Sequence, residues 1–302
     1  MGAITPVLLQ LCSAGDEIVS SRTIYGGTYA FMKNMLPRWN IKTHFVDITK
    51  LDVVEAAITQ NTKVLYCETV SNPLLEVANI EALSKLAKKY NIKLVVDNTF
   101  SPLSVAPAKL GADVVIHSLT KFINGSSDTV GGVVCATQEF INDLKNVNNG
   151  ASMLLGPTMD SLRSASILKN LRTLHIRMKQ HSHNAAYLAE KFEKDGLKVV
   201  YPGLKSHSGH HLYKSMINPE YGERLGEEVE LEATYARMGD YMKNKCKGMT
   251  GYIFTGNLEL AKKIRLKPSR RIEFLNAKID CRLLEYEMYA GTRRVEKEST
   301  NL

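Results

Sequence analysis

Over the first 172 residues, short apolar runs alternate along the chain with amphipathic stretches. Runs rich in β-branched and aliphatic residues predict buried strands, because a strand covered on both faces of a sheet shows little polar alternation. Apolar residues three, four and seven positions apart predict helices that turn one face to the sheet. The alternation of strand and helix predicts an α/β fold with a mostly parallel sheet. The predicted strands are Glu17–Ser20, Thr43–Val46, Lys63–Glu68, Lys93–Asp97, Asp113–Ser118 and Gly131–Cys135, and the predicted helical segments are Leu51–Thr59, Ile80–Lys89 and Ala106–Leu110.

Polar residues stand where three of these strands end. Glu68, Asp97 and Ser118 each follow a run of apolar residues. In open α/β sheets, ligands bind at the carboxyl edge of the strands. The pattern therefore predicts a ligand site at this edge.

The alternation of strand and helix patterns ends in the second half of the chain. The residues from Leu168 to Phe192 predict one long helix, and Val199–Tyr201 before Pro202–Gly203 predicts a strand and a turn. This change predicts a large domain over residues 1–172 and a smaller C-terminal α/β domain over residues 173–302.

Composition narrows the class of protein. The chain has 302 residues, 44% of them apolar, which is enough for a sizeable core. It contains no apolar run long enough for a membrane span, and its N-terminus lacks the basic region of a secretory signal. Five scattered cysteines give no zinc spacing and no disulfide framework, so we expect no metal site and a reducing cytoplasm.

The net charge of +8 raises the possibility of a nucleic-acid partner. Residues 261–302 carry eleven Lys or Arg and six Asp or Glu, so much of the excess lies there. No zinc finger, RNP aromatic pattern or zipper accompanies it, and a solvated charged surface is the preferred interpretation. We expect no nucleic-acid partner.

The segment from Asp113 to Lys121 carries the candidate chemistry. Ser118 and Thr120 place two hydroxyls, which are good donors to phosphate, just before Lys121. A lysine in a desolvated pocket has a lowered pKa and becomes a nucleophile that can form a Schiff base. Asp97 ends the preceding strand, where a carboxylate can pair with a protonated pyridine nitrogen. Taken alone, Lys121 is a surface lysine after a strand and Asp97 a cap of the next helix.

Two turns supply further candidates. Tyr25 precedes Gly26 and Gly27, where it can stack on an aromatic ring and exchange protons. Asn72, before Pro73, is a candidate donor to a ring oxygen. Each motif alone is an ordinary turn.

Together these motifs resemble the Cys/Met metabolism family of pyridoxal phosphate (PLP) enzymes. The resemblance keeps the family's order over residues 1–222 and departs from it beyond about residue 222. The matching segments are Met1–Ile4, Ala14–Asp16, Tyr25–Thr28, Glu68–Pro73, Val95–Phe100, His117–Lys121, Asn124–Gly125, Leu171–Met178, Tyr201–Leu204 and Ser206–His210.

The resemblance implies the aspartate-aminotransferase-like fold, type I of the PLP-dependent transferases, and a role for each candidate. Lys121 would hold the cofactor as a Schiff base, and Asp97 would pair with its ring nitrogen. Tyr25 would stack on the ring and take part in proton transfer, with Lys121 the second catalytic residue. The phosphate would be held by Ser118, Thr120 and the backbone of Met1 and Gly2, while Asn72 would reach the ring oxygen and the substrate carboxylate.

The implied function is a PLP-dependent carbon–sulfur lyase of sulfur amino-acid metabolism (transsulfuration) that carries out γ-elimination on cystathionine or methionine. A transferase of the cystathionine γ-synthase or O-acetylhomoserine sulfhydrylase type is an alternative. The family's N-terminal segment and its substrate-binding arginine are not found, so a second alternative is a catalytically impaired partner of full-length subunits. Family members are homotetramers built from dimers, which implies a homo-oligomer. Gly27, where methionine γ-lyases usually carry Cys, favours a cystathionine γ-lyase.

Overall fold

A computed structural model describes residues 1–218, 228–255, 258–276 and 279–289. The chain divides into two compact units, Met1–Arg224 and Leu225–Leu302. An isolated bridge between Val105 and Ile217 ties residues well beyond 172 to the first unit. The domain division after residue 172 stays a prediction.

A six-stranded sheet forms the centre of the first unit, in the order β2-β1-β3-β4-β5-β6. Neighbouring strands are parallel except for β6, which pairs antiparallel with β5. The sheet is therefore mostly parallel, as predicted. The strands are β1 (Glu17–Ser21), β2 (Lys42–Val46), β3 (Thr62–Glu68), β4 (Lys93–Asp97), β5 (Val114–Ser118) and β6 (Gly132–Ala136).

Nine α-helices among the described residues accompany this sheet. They are α1 (Ile4–Leu11), α2 (Gly26–Ala30), α3 (Leu51–Ala56), α4 (Ile80–Lys89), α5 (Gln138–Leu144), α6 (Ala151–Leu155), α7 (Ser161–Leu171), α8 (Leu174–Lys194) and α9 (His210–Met216). Two π-helical segments, Phe31–Met35 and Leu119–Ile123, and two 3-10 segments, Leu36–Trp39 and Pro107–Leu110, complete the unit.

The two faces of the sheet bury separate apolar clusters. On β3, Val64 and Tyr66 point into one cluster and Leu65 and Cys67 into the other, because successive side chains of a strand alternate. Helix α1 covers the first face with Ile4, Val7 and Leu8. Helix α4 covers the second with Ile80, Leu83 and Ala87. Burial on both faces explains the nearly continuous apolar runs of the sequence.

Two predicted elements differ in the structure. The helix predicted over Leu168–Phe192 is two helices, because the chain bends at Thr173, whose hydroxyl donates to the carbonyl of Asn170 at 3.0 Å. The strand predicted at Val199–Tyr201 is absent. Within the described part of the chain it has no neighbouring strand to pair with, and Val200 is half exposed.

The second unit holds a three-stranded antiparallel sheet in the order β7-β9-β8. Its elements are α10 (Glu228–Lys245), β7 (Thr250–Thr255), α11 (Leu258–Lys262), β8 (Arg270–Asn276) and β9 (Ile279–Glu287). Ile253, Ile264, Leu284 and Tyr286 form the centre of its small core. Every helix in the described parts of both units is too short or too polar to cross a bilayer.

Candidate active site

Three carboxyl-edge residues lie on one face of the large sheet. Glu68 of β3 pairs in register with Asp97 of β4, and Asp97 pairs with Ile116 of β5. Ser118 lies two residues beyond Ile116, so its side chain returns to the same face. This is the face that α1 covers, since Tyr66, Val95 and Ile116 all contact that cluster.

Asp97 is joined to Ser118 through Thr99. The backbone N–H of Thr99 donates to Oδ1 of Asp97 at 2.9 Å, and the hydroxyl of Thr99 accepts from the backbone N–H of Ser118 at 2.8 Å. Asp97 is only 8% exposed. Burial raises the pKa of its carboxyl, while the hydrogen bonds from Thr99 and the charge of the Met1 amino group act in the opposite direction.

Glu68 connects the two turns that carry the other candidates. Its Oε1 accepts from the backbone N–H of Tyr25 at 2.7 Å, and its Oε2 accepts from that of Asn72 at 2.8 Å. Burial raises the pKa of Glu68 to about 7, against the two backbone hydrogen bonds that favour its charged form. Tyr25 and Asn72 themselves are exposed.

The beginning of α1 lies above the end of β5. Gly132 pairs with Ser118, and a Cβ added at Gly132 would lie 2.9 Å from the Cβ of Ala3. Met1 and Gly2 directly precede this contact and are exposed. The first N–H groups of a helix have no partner within it and attract anions.

Thr120 and Lys121 lie in the π-helical segment that follows β5. The hydroxyl of Thr120 accepts from the N–H of Gly131 at 3.0 Å and donates to its carbonyl at 3.3 Å. It can donate to another group only by giving up that longer bond. The Lys121 side chain is exposed.

Arg177 of α8 holds the segment after Lys121. Its guanidinium donates to the carbonyls of Phe122, Ile123 and Asn170, the last two at 2.9 and 3.1 Å. Gly125 leaves room for this side chain, because a Cβ there would lie 2.4 Å from Nη1.

The structure therefore joins Tyr25, Asn72, Asp97 and Ser118 through contacts at one sheet edge, with Lys121 three residues beyond Ser118. Sequence reasoning assigned no role to two side chains that make these contacts, Glu68 and Thr99. Glu68 was detectable as a polar residue at a strand end. Nothing in the sequence indicates the two bonds of Thr99.

A family model matches residues 1–233, and its description is Cys/Met metabolism PLP-dependent enzyme. The chain belongs to this family. The cofactor of the family is PLP, as the motifs predict.

Curated relatives agree with this assignment. The chain is 44% identical over 248 residues to methionine gamma-lyase of Arabidopsis thaliana, a match covering 81% of this chain and 56% of that protein. It is 40% identical over 219 residues to cystathionine gamma-lyase of Bacillus subtilis, covering 71% and 56%. The chain thus spans little more than half the length of these relatives.

A solved structure confirms the fold class. A Campylobacter jejuni protein assigned as an O-acetylhomoserine (thiol)-lyase superposes with a TM-score of 0.67 at 26% identity, covering 96% of this chain and 76% of that one. That structure carries a pyridoxyl-lysine phosphate. The first unit accordingly has the type I fold of PLP-dependent enzymes.

A second family model, described as an RMKL-like methyltransferase domain, matches residues 210–285. The match ends at Glu285, near the end of β9, and overlaps the PLP family match over residues 210–233.

Proposed function

We propose that the first unit binds PLP at the carboxyl edge of its sheet and that the protein acts as a carbon–sulfur lyase on a sulfur amino acid. The observation that carries the proposal is the connected set of contacts from Ser118 through Thr99 to Asp97. It lies beside Glu68, which joins Tyr25 and Asn72, within a chain that matches the family over residues 1–233.

The residues present fit the cofactor. Asp97 is a carboxyl at the functional edge whose burial opposes its own ionisation. A buried carboxylate is stabilised by a cationic partner, and the protonated ring nitrogen of PLP is such a partner. PLP, when bound, supplies an electron sink for the carbanion that forms at the substrate's α carbon.

Lys121 and Asp97 would have the two central roles. The Lys121 amine would attach the cofactor covalently, and once released by the substrate amine it would move protons between substrate carbons. Asp97 would keep the ring nitrogen protonated. Thr99 fixes the orientation of the Asp97 carboxyl through the 2.9 Å bond to Oδ1, which leaves Oδ2 for the ring.

The phosphate would bind between the beginning of α1 and the end of β5. The backbone N–H groups near Met1 and Gly2 and the hydroxyl of Ser118 are donors there. Thr120 would contribute after giving up its 3.3 Å bond to Gly131.

Tyr25 and Asn72 would contact the face and edge of the ring. Tyr25 would stack on the cofactor and exchange a proton with the substrate, and Asn72 would donate to the ring oxygen and the substrate carboxylate. Both backbones are fixed by the Glu68 carboxylate.

We propose methionine or cystathionine as the substrate, because relatives are named methionine gamma-lyase and cystathionine gamma-lyase. Breaking the Cγ–S bond and then adding water yields an oxo acid, ammonia and a thiol. We propose a cytoplasmic homo-oligomer by the same likeness.

The first test is an absorption spectrum of the purified chain with added PLP, beside Lys121→Ala. We expect the visible absorption band of lysine-bound PLP only where Lys121 is present. Incubation with methionine or cystathionine should then release an oxo acid. A band in both proteins, or in neither, would contradict the cofactor site.

A band without oxo-acid release would instead favour the transferase alternative. That alternative is tested by supplying O-acetylhomoserine with a thiol and measuring the new thioether.

A further inference from the structure

We infer that Glu68 is the positioning residue of this site: one carboxylate that holds the Tyr25 turn and the Asn72 turn in place beside Asp97. The inference rests on the proposed PLP site and assigns a role to a residue that touches neither cofactor nor substrate in that proposal.

The geometry is specific to a carboxylate. Each oxygen of Glu68 accepts one backbone N–H, from Tyr25 at 2.7 Å and from Asn72 at 2.8 Å. Hydrogen bonds from a backbone N–H to a carboxylate are stronger than neutral ones. An amide at this position has a single oxygen, and its NH2 group would face the second N–H.

Glu68 is the carboxylate that binds the backbone of Tyr25 and Asn72 themselves, while Glu76 joins the surrounding segments by accepting from Thr23 at 2.6 Å and from Arg22 at 2.9 Å. Tyr25 precedes α2 as its N-cap residue, and its side chain makes no capping hydrogen bond. The rings and amides of the two residues are exposed. Tyr25 and Asn72 are 47 positions apart in the sequence, and the Glu68 carboxylate accepts the backbone N–H of both.

Glu68 lies next to Asp97, so its contacts with the two turns also affect the proposed cofactor site. It is the last residue of β3 and pairs in register with Asp97. The paired ends of β3 and β4 therefore position the two turns and the ring-nitrogen partner side by side. Moving either turn would displace a side chain from the cofactor without unfolding the sheet.

The experiment compares PLP affinity, by titration of the absorption band at a pH well above the Glu68 pKa of about 7, where the side chain is charged, in the wild type, Glu68→Gln and a matched control. Asp113→Asn is the control, because Oδ2 of Asp113 also accepts a backbone N–H, that of Leu94 at 2.9 Å, but at the opposite edge of the sheet. We expect about tenfold weaker PLP binding for Glu68→Gln, the loss of one charge-assisted hydrogen bond, and less than about twofold for Asp113→Asn.

A double-mutant cycle separates positioning from general stability. If Glu68 acts through the Tyr25 turn, then Glu68→Gln should weaken PLP binding much less in a Tyr25→Ala background, because the side chain that it positions is already gone. Tyr25→Ala keeps the backbone N–H, so the contact to Glu68 survives in that background. An effect that is undiminished both there and in an Asn72→Ala background would show a role unrelated to either turn and overturn the inference.

The outcomes also separate this inference from the proposed function. Absence of the Lys121-dependent band in the wild type would overturn both. A wild-type band with unchanged affinity in Glu68→Gln would overturn only the inference. If Glu68→Gln does not fold, Glu68→Asp replaces it: the shorter side chain keeps the charge but withdraws from both N–H groups, and wild-type affinity there would equally contradict the inference.

Discussion

At the scale of single residues, Glu68 makes the stability of the protein depend on pH. Burial raises its pKa to about 7 in the folded chain, against 4.5 for the ordinary side chain. Between these values the folded protein binds a proton that the unfolded chain releases. The free energy of unfolding without cofactor should therefore fall as the pH rises from about 4.5 to about 7, by roughly 3 kcal/mol from this group.

Urea unfolding at half-unit pH steps measures this dependence. Glu68→Gln should flatten the slope in that window, leaving the part that Asp97 contributes in the same direction through its own raised pKa. Glu81→Gln, on the exposed side of α4, should keep the wild-type slope. A Glu68→Gln profile that parallels the wild type would show that burial does not raise the Glu68 pKa.

Gly27 and Gly26 form a natural pair for testing Tyr25. A Cβ at Gly27 would lie 2.6 Å from Cε1 of Tyr25, whereas a Cβ at Gly26 would meet nothing within 4 Å. Gly27→Ala should therefore rotate the half-exposed tyrosine ring and weaken PLP binding by only about threefold, or about 0.7 kcal/mol, because the Cys that methionine γ-lyases usually carry here also has a Cβ. Gly26→Ala should change it less than about twofold.

Equal affinities in the two alanine variants would show that the position of the Tyr25 ring does not matter for the cofactor. Both substitutions also add helix propensity to α2, so their stabilities should be measured alongside.

Some residues of the site could be predicted from the sequence, and others could not. Asp97 and Ser118 were predictable because a polar residue after a buried strand marks the sheet edge. The bond between Thr120 and Gly131 was not, because it joins two segments whose approach depends on β6 running antiparallel to β5. Thr99 likewise acts through a contact across strands that no local pattern records.

At the scale of elements, Arg177 links α8 to the segment that carries Lys121. Arg177→Lys would lose the planar guanidinium that reaches the carbonyls of Ile123 and Asn170 together. We expect a loss of about 2 kcal/mol in the free energy of unfolding, on the order of one or two hydrogen bonds from a charged group. Amide hydrogen exchange should also speed up in the Leu119–Ile123 segment.

Arg163→Lys is the control, because in the part of the chain that the structure describes Arg163 pairs with Asp160, the N-cap residue of its own helix, at an exposed position. Exchange in Leu119–Ile123 that is equally fast in wild type and Arg177→Lys would contradict the link.

The elements with a regular apolar pattern were predicted with the correct bounds. A break in a helix caused by local hydrogen bonds was not predicted. The bounds of α4 and β4 agree with the apolar pattern, because burial and helix or strand period point the same way there. The break between α7 and α8 arises from hydrogen bonds of Thr173 with Asn170 and Arg177, which the uninterrupted helical pattern does not reveal. Val199–Tyr201 has strand composition but no partner, and a strand requires one.

At the scale of the whole molecule, the chain divides into two compact units near the end of the PLP family match. The PLP family matches residues 1–233 and the methyltransferase model residues 210–285, while the two compact units divide at residue 224. The end of the PLP family match thus lies within ten residues of the boundary between the two units. The described second unit has its own sheet and its own small core, as a separate module requires.

Residues 1–224 should therefore bind PLP as the whole chain does. The predicted PLP-binding residues, and the partners Glu68, Thr99 and Arg177, all lie in the first unit. The last described residue before 219, Asn218, donates its backbone N–H to Ser104 at 2.6 Å, so the first unit keeps its closing contact when the chain ends at Arg224. Titration of the Lys121-dependent band should give PLP affinities within about twofold in the truncated and whole chains. If the second unit helped to bind PLP, its removal would weaken the binding free energy by more than about 0.5 kcal/mol. A tenfold loss on truncation would mean that the second unit contributes to the cofactor site, and the match to a second family would then describe a part of the enzyme rather than an independent module.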